Sequence, residues 1–583
     1  MKILSKIKTH WANVKFSVCY MAHISPAFIF ITIVSAFLTA IYSVFQVYYI
    51  KVIIASLQEK AFTTFIILVV FVFGLTLCIN LLNSLLSHYF TPILNNKINK
   101  KIKHDIYSAY LKYSSYEVNN PQFYDLYTFV LNNSINSLSS VVSILGKMLS
   151  SILTIVGISS LFSQYDVFTL LIIFVTVILA FVITTYTEKK RYNFNLELIP
   201  YHRAFNYIER IFYLPEYSNE VHVYKSKTIF NEYFEAKNND ILSIIKKWRT
   251  QFFSLNLFNN AISALMNLSI LIRLGIQFFN TVFTLDVFAM LFNGTQQLFS
   301  HIFSFLSLFT QSYSVSLNIT KFNTFMSGCN MQGDVFIDKI EKINVCDASF
   351  YYGDIQVIKS VSFTFEKNEN QIAIVGKNGS GKSTLVKMIV GLLPCKDKSV
   401  FINGHDINVI NRDSLFTTVA VLFQKYLVFS FSIAQNILLK YDITKEDEEK
   451  IIAVLKLVRL YDKVMSLEQG MHTIISSEFD ASGVMLSGGE MQRIALARVL
   501  VSNASLVIFD EPYSSLDLVS EQEIAHLINT ISKNKKVILI SHKLSLLNTV
   551  DKILVLDNGK IAEQGVPEIL LSDGSSKVFK IFS

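Results

Sequence analysis

Residues 27–50 (AFIFITIVSAFLTAIYSVFQVYYI) carry no charged side chain, and neither do residues 62–90. About 20 apolar residues cross the hydrocarbon of a bilayer in a helix rising 1.5 Å per residue, so both runs are long enough to span it. Further uncharged runs occupy Met148–Tyr165, Val167–Tyr186, Gln251–Ile272 and Val287–Thr320. Buried helices of soluble domains rarely run this long. Composition points the same way: hydrophobic residues are 51% and charged residues 16% of the chain, with mean hydropathy +0.42. The apolar excess lies before residue 330. The expectation is a short N-terminal segment (1–25), an α-helical membrane domain with six transmembrane helices (26–325), and a soluble domain from about residue 335 to 583.

The net charge of +8 is unevenly placed. Lys2, Lys6, Lys8 and Lys15 precede the first run. Lys97, Lys100, Lys101 and Lys103 follow the second, Lys189, Lys190 and Arg191 the fourth, and Lys246, Lys247 and Arg249 precede the fifth. Basic loops stay on the cytoplasmic side, so the N-terminus and the soluble domain are expected there, with the bilayer as partner and no role for nucleic acid. The first run is too long for a signal peptide, and five more follow. The five cysteines lack metal-type or redox spacing and read as reduced thiols. Cys19 and His23 would suit a cysteine peptidase, but the residues before the first span are too few to fold one.

The expected outside loops are short, at about 51–61, 165–167 and 273–286, whereas two inside loops, at about 91–140 and 187–250, are long and helically patterned. Polar residues share faces at helical spacing: Asn80, Asn83, Ser84 and Ser87 in the second span, Asn293, Gln297, His301 and Ser304 in the sixth. Such stripes serve either interhelical hydrogen bonding or the lining of a watery cavity.

Beyond residue 334 short β-branched strands alternate with helices, an α/β pattern. In QIAIVGKNGSGKSTLVK a buried strand (372–375) leads into Gly376-x-x-x-x-Gly381-Lys382-Ser383, a complete phosphate loop. Backbone amides along Gly376, Asn378, Gly379, Ser380 and Gly381 can wrap a β-phosphate at the start of a helix that continues through Thr384. Lys382 can bridge the β- and γ-phosphates, and the Ser383 hydroxyl can reach Mg²⁺. In SLVIFDEP an apolar strand ends at Asp510, a carboxylate placed for the metal, and Glu511 beside it can orient or deprotonate a water. VILISHK puts His542 at another strand end, within reach of a γ-phosphate. ATP and Mg²⁺ are the ligands these motifs call for.

Phosphate loop, LSGGE, VIFDEP, SSLD and SHK, in that order behind six spans, resemble an ATP-binding cassette (ABC) exporter half-transporter of the type IV exporter fold: a six-helix membrane domain followed by an α/β P-loop NTPase cassette. The resemblance covers essentially the whole chain. It implies that Tyr352, in SFYYGD, stacks on adenine, a role Phe350 or Tyr351 could also take. It implies that Gln424, in VLFQ, contacts Mg²⁺ and senses the membrane part, and that Asp517, in SSLD, communicates across a dimer. Ser487, Gly488 and Gly489 would grip the ATP held by a second half-transporter, in a homodimer because every catalytic motif is intact. SSYEVNNPQFYDLY (114–127) resembles the region of a coupling helix, and SNEVHVY (218–224) a second. Two departures stand out. Glu490 replaces the glutamine of many family members, and Ala481 stands where exporters usually carry glutamate, with Glu478 nearby as a substitute.

IAIVGKNGSGKSTLVK, VLFQKY and NNPQFYDLY further resemble exporters of ribosomally made, modified antimicrobial peptides (lantibiotics and bacteriocins) in low-GC Gram-positive bacteria. The excess of lysine over arginine, 43 to 9, suits an AT-rich genome. A bacteriocin, lanthipeptide or signalling peptide is therefore the expected substrate, with any leader cut elsewhere since no peptidase domain precedes the spans. Lipids or amphipathic drugs are the alternative. A non-transporting, ATP-driven sensor in the membrane is the third reading.

Overall fold

The computed structural model describes residues 2–214, 217–328, 333–476, 483–512, 518–541, 544–572 and 576. Contacts divide the chain into two units, one of residues 1–108 and 125–327, the other of residues 109–124 and 328–583.

The first unit is a bundle of long helices. In chain order they are α1 (Lys2–Ile24), α2 (Pro26–Gln58), α3 (Phe62–Ser84), α4 (Thr91–Tyr110), α6 (Pro121–Ser163), α7 (Val167–Tyr213), the short α8 (Ser218–Val223), α9 (Lys227–Phe279) and α10 (Leu285–Ser327). α5 (Ser115–Val118) belongs to the other unit. A π-helical turn, Leu85–Phe90, joins α3 to α4 without a break. Among the described residues five stretches are long and apolar enough to cross a membrane: Pro26–Gln58, Phe62–Tyr110, Pro121–Ser163, Val167–Tyr213 and Lys227–Phe279. The sixth expected span, α10, is 43 residues long but is not among them, because Asn293, Gln296, Gln297 and His301 interrupt its apolar run. The long inside loops are largely continuations of the spans as helix, and the outer links are shorter than expected because α2 and α9 run on to Gln58 and Phe279.

The N-terminal segment is not separate from the bundle. Asn13 on α1 donates to the Ser316 carbonyl (3.0 Å), the Ser316 hydroxyl (3.2 Å) and the Thr320 hydroxyl (2.8 Å) on α10. Val47, Ile158, Phe162, Ile173, Val177, Met266, Ile270, Met290 and Leu298, from α2, α6, α7, α9 and α10, form the bundle core. Between helices in lipid, close packing replaces the hydrophobic effect as the attractive term, and small residues permit it. At Gly294 a Cβ would lie 2.7 Å from the Phe162 ring and 3.1 Å from Val47, so only glycine lets α10 approach this closely. Of the polar residues on α10, Gln296 donates to Asn267 of α9 (2.8 Å) and Gln297 to Asn293 one turn away (3.2 Å). Gln296, which lies beside the expected stripe, thus joins two helices, whereas the stripe members Asn293 and Gln297 bond within α10.

One ion pair closes the link between α6 and α7. Asp166 caps α7, accepting from the Phe168 amide (3.1 Å), and takes two bonds from the Arg273 guanidinium (2.9 and 3.0 Å). The Asp166 side chain is 2% exposed. Removing its partner strands a buried carboxylate, at a cost of about 3 kcal/mol. Arg273→Ala is expected to lower the thermal unfolding midpoint clearly in detergent, and Asp166→Asn added to it should restore much of the loss, since no charge then remains buried.

The second unit contains two sheets. One is antiparallel, with order β2–β1–β4–β5: β1 (Ile343–Tyr352), β2 (Ile355–Phe365), β4 (Val400–Ile402) and β5 (His405–Asp406). The other has order β10–β9–β3–β8–β7–β6: β3 (Gln371–Val375), β6 (Val419–Leu422), β7 (Leu506–Asp510), β8 (Lys536–Ile540), β9 (Lys552–Asp557) and β10 (Lys560–Gly565). It is parallel except for the β9–β10 hairpin. β3, β7 and β8 are buried at every position, which is why they read as unbroken apolar runs rather than alternating ones. The helices of this unit are α11 (Lys382–Ile389), α12 (Arg412–Thr418), α13 (Ile433–Leu438), α14 (Lys445–Leu457), α15 (Tyr461–Met465), α16 (Gly488–Val501), α17 (Leu518–Ser532), α18 (Leu544–Leu547) and α19 (Pro567–Ser572). α5 also lies here, with its own capping box: the Ser114 hydroxyl accepts from the Glu117 amide (3.2 Å), and Glu117 accepts from the Ser114 amide (2.8 Å).

Candidate functional site

The phosphate loop runs from the end of β3 into α11. At Gly376 a Cβ would stand 2.1 Å from the Leu556 carbonyl on β9, so the chain can pass there only as glycine. Gly381 caps α11 at φ +104°, a region that side chains disfavour. Asn378 and Gly379 are exposed at the turn, and Ser383 and Thr384 are half-buried at the helix start. The Ser380 hydroxyl is buried without a hydrogen-bond partner among the described residues, as a group positioned for an external acceptor would be. The Lys382 ammonium is buried and donates to the carbonyls of Gly376 (2.7 Å) and Lys377 (3.1 Å). Burial pushes its pKa down, and the carboxylates of Glu511 and Asp510 oppose that shift.

Asp510 ends β7, 4% exposed. Burial raises its pKa, while a hydrogen bond from the Ser383 hydroxyl pulls the other way. A hydroxyl and a carboxylate in contact are hard oxygen donors of the kind that Mg²⁺ accepts alongside phosphate and water. Among the described residues no three His, Cys, Asp or Glu side chains form a metal cluster. Glu511 sits at φ +52°, a backbone conformation uncommon outside glycine and frequent at functional sites. Its amide donates to the Ile540 carbonyl (3.0 Å), and its carboxylate accepts from the Gln424 amide group (2.7 Å). Gln424, just past β6, is thus held by the carboxylate expected to handle water. His542 and Asp517 lie outside the described residues, as do Glu478 and Ala481.

The aromatic end of β1 separates the three adenine candidates. Phe350 is 5% exposed and packs in the core, which removes it. Tyr351 and Tyr352 are 50% and 40% exposed. Tyr352 rests edge-on against Phe350 (4.9 Å). Tyr116 of α5, which sequence reasoning passed over, packs against both Phe350 (5.7 Å) and Tyr352 (6.4 Å).

Ser487 caps α16, its hydroxyl accepting from the Glu490 amide (3.3 Å) while the Glu490 carboxylate accepts from the Ser487 amide (2.8 Å). That backbone hydrogen bond is the largest influence holding the Glu490 carboxyl below its ordinary range. Glu490 therefore completes a capping box, and Ser-x-x-Glu was a legible signal for it. The amides of Gly488 and Gly489, in the first turn, point along the helix axis as donors.

Two further side chains tie this helix to the segment after Gln424. The Tyr426 hydroxyl donates to the Gly488 carbonyl (2.8 Å). Arg498 on α16 donates to the carbonyls of Leu427 (3.1 Å) and Asn436 (2.8 Å) and lies over the Phe429 ring (5.5 Å). Neither contact has a local sequence signature, because both join segments about 60–70 residues apart. Tyr426→Phe removes one hydrogen bond, worth about 1 kcal/mol. It is expected to leave ATP affinity unchanged and to lower ATP turnover about fivefold, read by equilibrium nucleotide binding and a phosphate-release assay.

Residues 358–514 match the ABC transporter family. The chain is 34% identical over 232 residues to an ATP-dependent lipid A-core flippase of Syntrophus aciditrophicus, covering 40% of this chain and 37% of that protein. It is also 34% identical over 233 residues to a Staphylococcus aureus protein provisionally named as a multidrug export ATP-binding/permease protein, covering 40% and 39%. The match thus spans less than two fifths of either relative. Across 96% of this chain and 98% of the other, the structure superposes on a bacterial Atm1-family ABC exporter with ATP bound, at TM-score 0.80 and 18% identity, a likeness of fold. Residues 358–514 are an ABC transporter domain, in a chain that has the fold of an ABC exporter.

Proposed function

We propose that the chain is one half of an ATP-driven exporter that works by alternating access in a bacterial cytoplasmic membrane, as a homodimer. The observation that carries this reading is the convergence of Lys382, Ser383, Asp510, Gln424 and Glu511 on one phosphate loop, in a chain with five apolar helices of spanning length. The basic loops support a cytoplasmic place for the cassette.

In this reading the loop amides and Lys382 hold the β- and γ-phosphates. Lys382 leaves the carbonyls of Gly376 and Lys377 for the phosphates as ATP arrives. Ser383 and Asp510, with Gln424, would hold Mg²⁺, which supplies charge neutralisation to the phosphates. Glu511 orients the attacking water and accepts its proton, and Gln424 fixes the Glu511 carboxylate until then. Tyr352 supports adenine, with Tyr116 behind it. His542 contacts the γ-phosphate and Asp517 the opposite half. Ser487, Gly488 and Gly489 present an uncharged donor set to the ATP of the second chain, where charge spreads onto the γ-oxygens during transfer.

The substrate we propose is a ribosomally made peptide of the bacteriocin, lanthipeptide or signalling type. This rests on the resemblance of NNPQFYDLY and the loop sequences to peptide exporters. A lipid or amphipathic drug is the second reading, favoured by what the two relatives are named for. Inside-out vesicles bearing the protein, given ATP and in turn a labelled peptide precursor, a fluorescent lipid and a cationic dye, distinguish them. Peptide accumulation alone is expected. Accumulation of lipid or dye alone would replace the first reading with the second, and no accumulation despite active hydrolysis would end the export reading. Glu511→Gln should lower hydrolysis at least about 100-fold with ATP binding retained, checked by phosphate release beside nucleotide binding.

A further inference from the structure

Gln492 lies on α16 among Ile494, Ala495, Leu496, Ala497 and Val499, all of them buried. It is itself 3% exposed, an unusual place for a glutamine side chain. Its Nε2 donates to the carbonyl of Pro512 (2.8 Å), a buried residue. A carbonyl can only accept, so this bond also fixes which end of the amide faces Pro512. The Oε1 atom at the other end is buried without a partner among the described residues. Burying an unmatched polar atom costs stability, so packing alone would favour a methionine of similar length here. What the glutamine adds is the one bond it makes.

That bond ends one residue from the carboxylate expected to handle water. Glu511 has φ +52° and precedes a proline, whose ring favours extended backbone in the residue before it. Strained conformations of this kind persist only where neighbouring groups over-determine them. Three bonds act here. The Glu511 amide donates to the Ile540 carbonyl (3.0 Å), the Glu511 carboxylate accepts from Gln424 (2.7 Å), and the Pro512 carbonyl accepts from Gln492. The pyrrolidine ring already sets φ of residue 512 near about −65°. With the amide of residue 511 and the carbonyl of residue 512 both anchored, few backbone dihedrals stay free between them, and the Glu511 side chain projects from that short span. Release of the Pro512 carbonyl lets the span relax toward extended backbone and swings the carboxylate away from Gln424.

We propose that Gln492 is a positioning residue for ATP hydrolysis: by holding the Pro512 carbonyl, it keeps the Glu511 carboxylate aimed at the attacking water. It acts through the backbone of residues 511 and 512. The inference rests on the proposed role of Glu511 as the group that orients the water and accepts its proton. Gln492 stands about 6 Å along α16 from Gly488, so one rigid helix carries both this clamp and the proposed donor set.

The full-length protein in detergent is to be compared with Gln492→Met, which keeps the volume and removes the donor. Turnover per bound nucleotide is expected to fall about tenfold, with the ATP dissociation constant within about twofold of wild type. Gln492→Leu gives the same reading in place of a methionine variant that folds poorly. Val499→Ala, on the same helix and 4% exposed, is the packing control: it should lower the thermal unfolding midpoint and leave turnover per bound nucleotide within about twofold. Gln424→Ala loosens the same carboxylate from its other side. The double variant Gln424→Ala/Gln492→Met should therefore be slower than the slower single variant by less than about threefold. Wild-type turnover in Gln492→Met, an equal loss in Val499→Ala, or multiplying losses in the double variant would each overturn the proposal. Wild-type turnover in Glu511→Gln would instead overturn the reading of Glu511 itself.

Discussion

Parallel pairing of β8 between β3 and β7 is the interaction on which the nucleotide site depends. Ile540 is the partner of Ile374 on one side and of Asp510 on the other. The strand before the phosphate loop and the strand bearing the carboxylates therefore end on the same rung, two strand spacings or about 10 Å apart. Side chains on the loops beyond that edge then meet: Ser383 with Asp510, and Glu511 with Gln424 from the far side of β7. Joining segments about 130 residues apart costs loop-closure entropy, which grows only slowly with length. The fully buried β3, β7 and β8 offset it with continuous apolar contact. A one-residue slip of β7 against β8 would move Asp510 off the rung and turn its carboxylate to the other face of the sheet.

The membrane unit obeys a different constraint. Lipid offers backbone groups no partners, so the chain crosses it as uninterrupted helix. Several of those helices continue well past the hydrocarbon, and the polar work is moved to a few places. Asp166 and Arg273 join the α6–α7 link to the end of α9. Asn13 fastens α1 to α10. Gln296 and Asn267 join α10 to α9. α10 has no stretch as apolar as those of the five candidate spans, because Asn293, Gln296, Gln297 and His301 interrupt it, and Gln296 is one of the side chains that make such bonds.

Much of this was legible in the sequence because it is local. The phosphate loop, the buried strand before it and the strand ending at Asp510 are each set by residues within about ten positions, and periodicity reports them directly. The short helices at 115–118 and 218–223 fell within the segments picked out for their sequence. What escaped was long-range or continuous. Hydropathy marks where charge begins, not where a helix ends, so α2 and α9 outran their expected outer ends. Phe350 and Tyr352 are near neighbours with similar rings, and only the pairing of β1 decides that the first is buried and the second exposed. Tyr426 and Arg498 carry no pattern at all, since their partners are set by how α16 packs beside α13.

The start of α16 shows how an acidic residue can shape a helix end to which the proposed function assigns an anion. A glutamate in the first turn of a helix opposes an incoming phosphate, because both favour the same positive helix end. Glu490 avoids that conflict by reaching back to the Ser487 amide, and Lys463 and Arg493 add compensating positive charge. Its own amide is turned to the Ser487 hydroxyl, and the Met491 amide to the Ser487 carbonyl (2.9 Å). The amides the cap does not use are those of Gly488 and Gly489, and glycine leaves no side chain in front of them. Tyr426 holds the Gly488 carbonyl from behind, so the first turn cannot rotate those amides away without breaking a bond to the segment that begins at Gln424. In the proposed dimer, the donor set offered to one nucleotide and the segment that begins at Gln424 beside the other would thus be mechanically joined through a phenol hydroxyl.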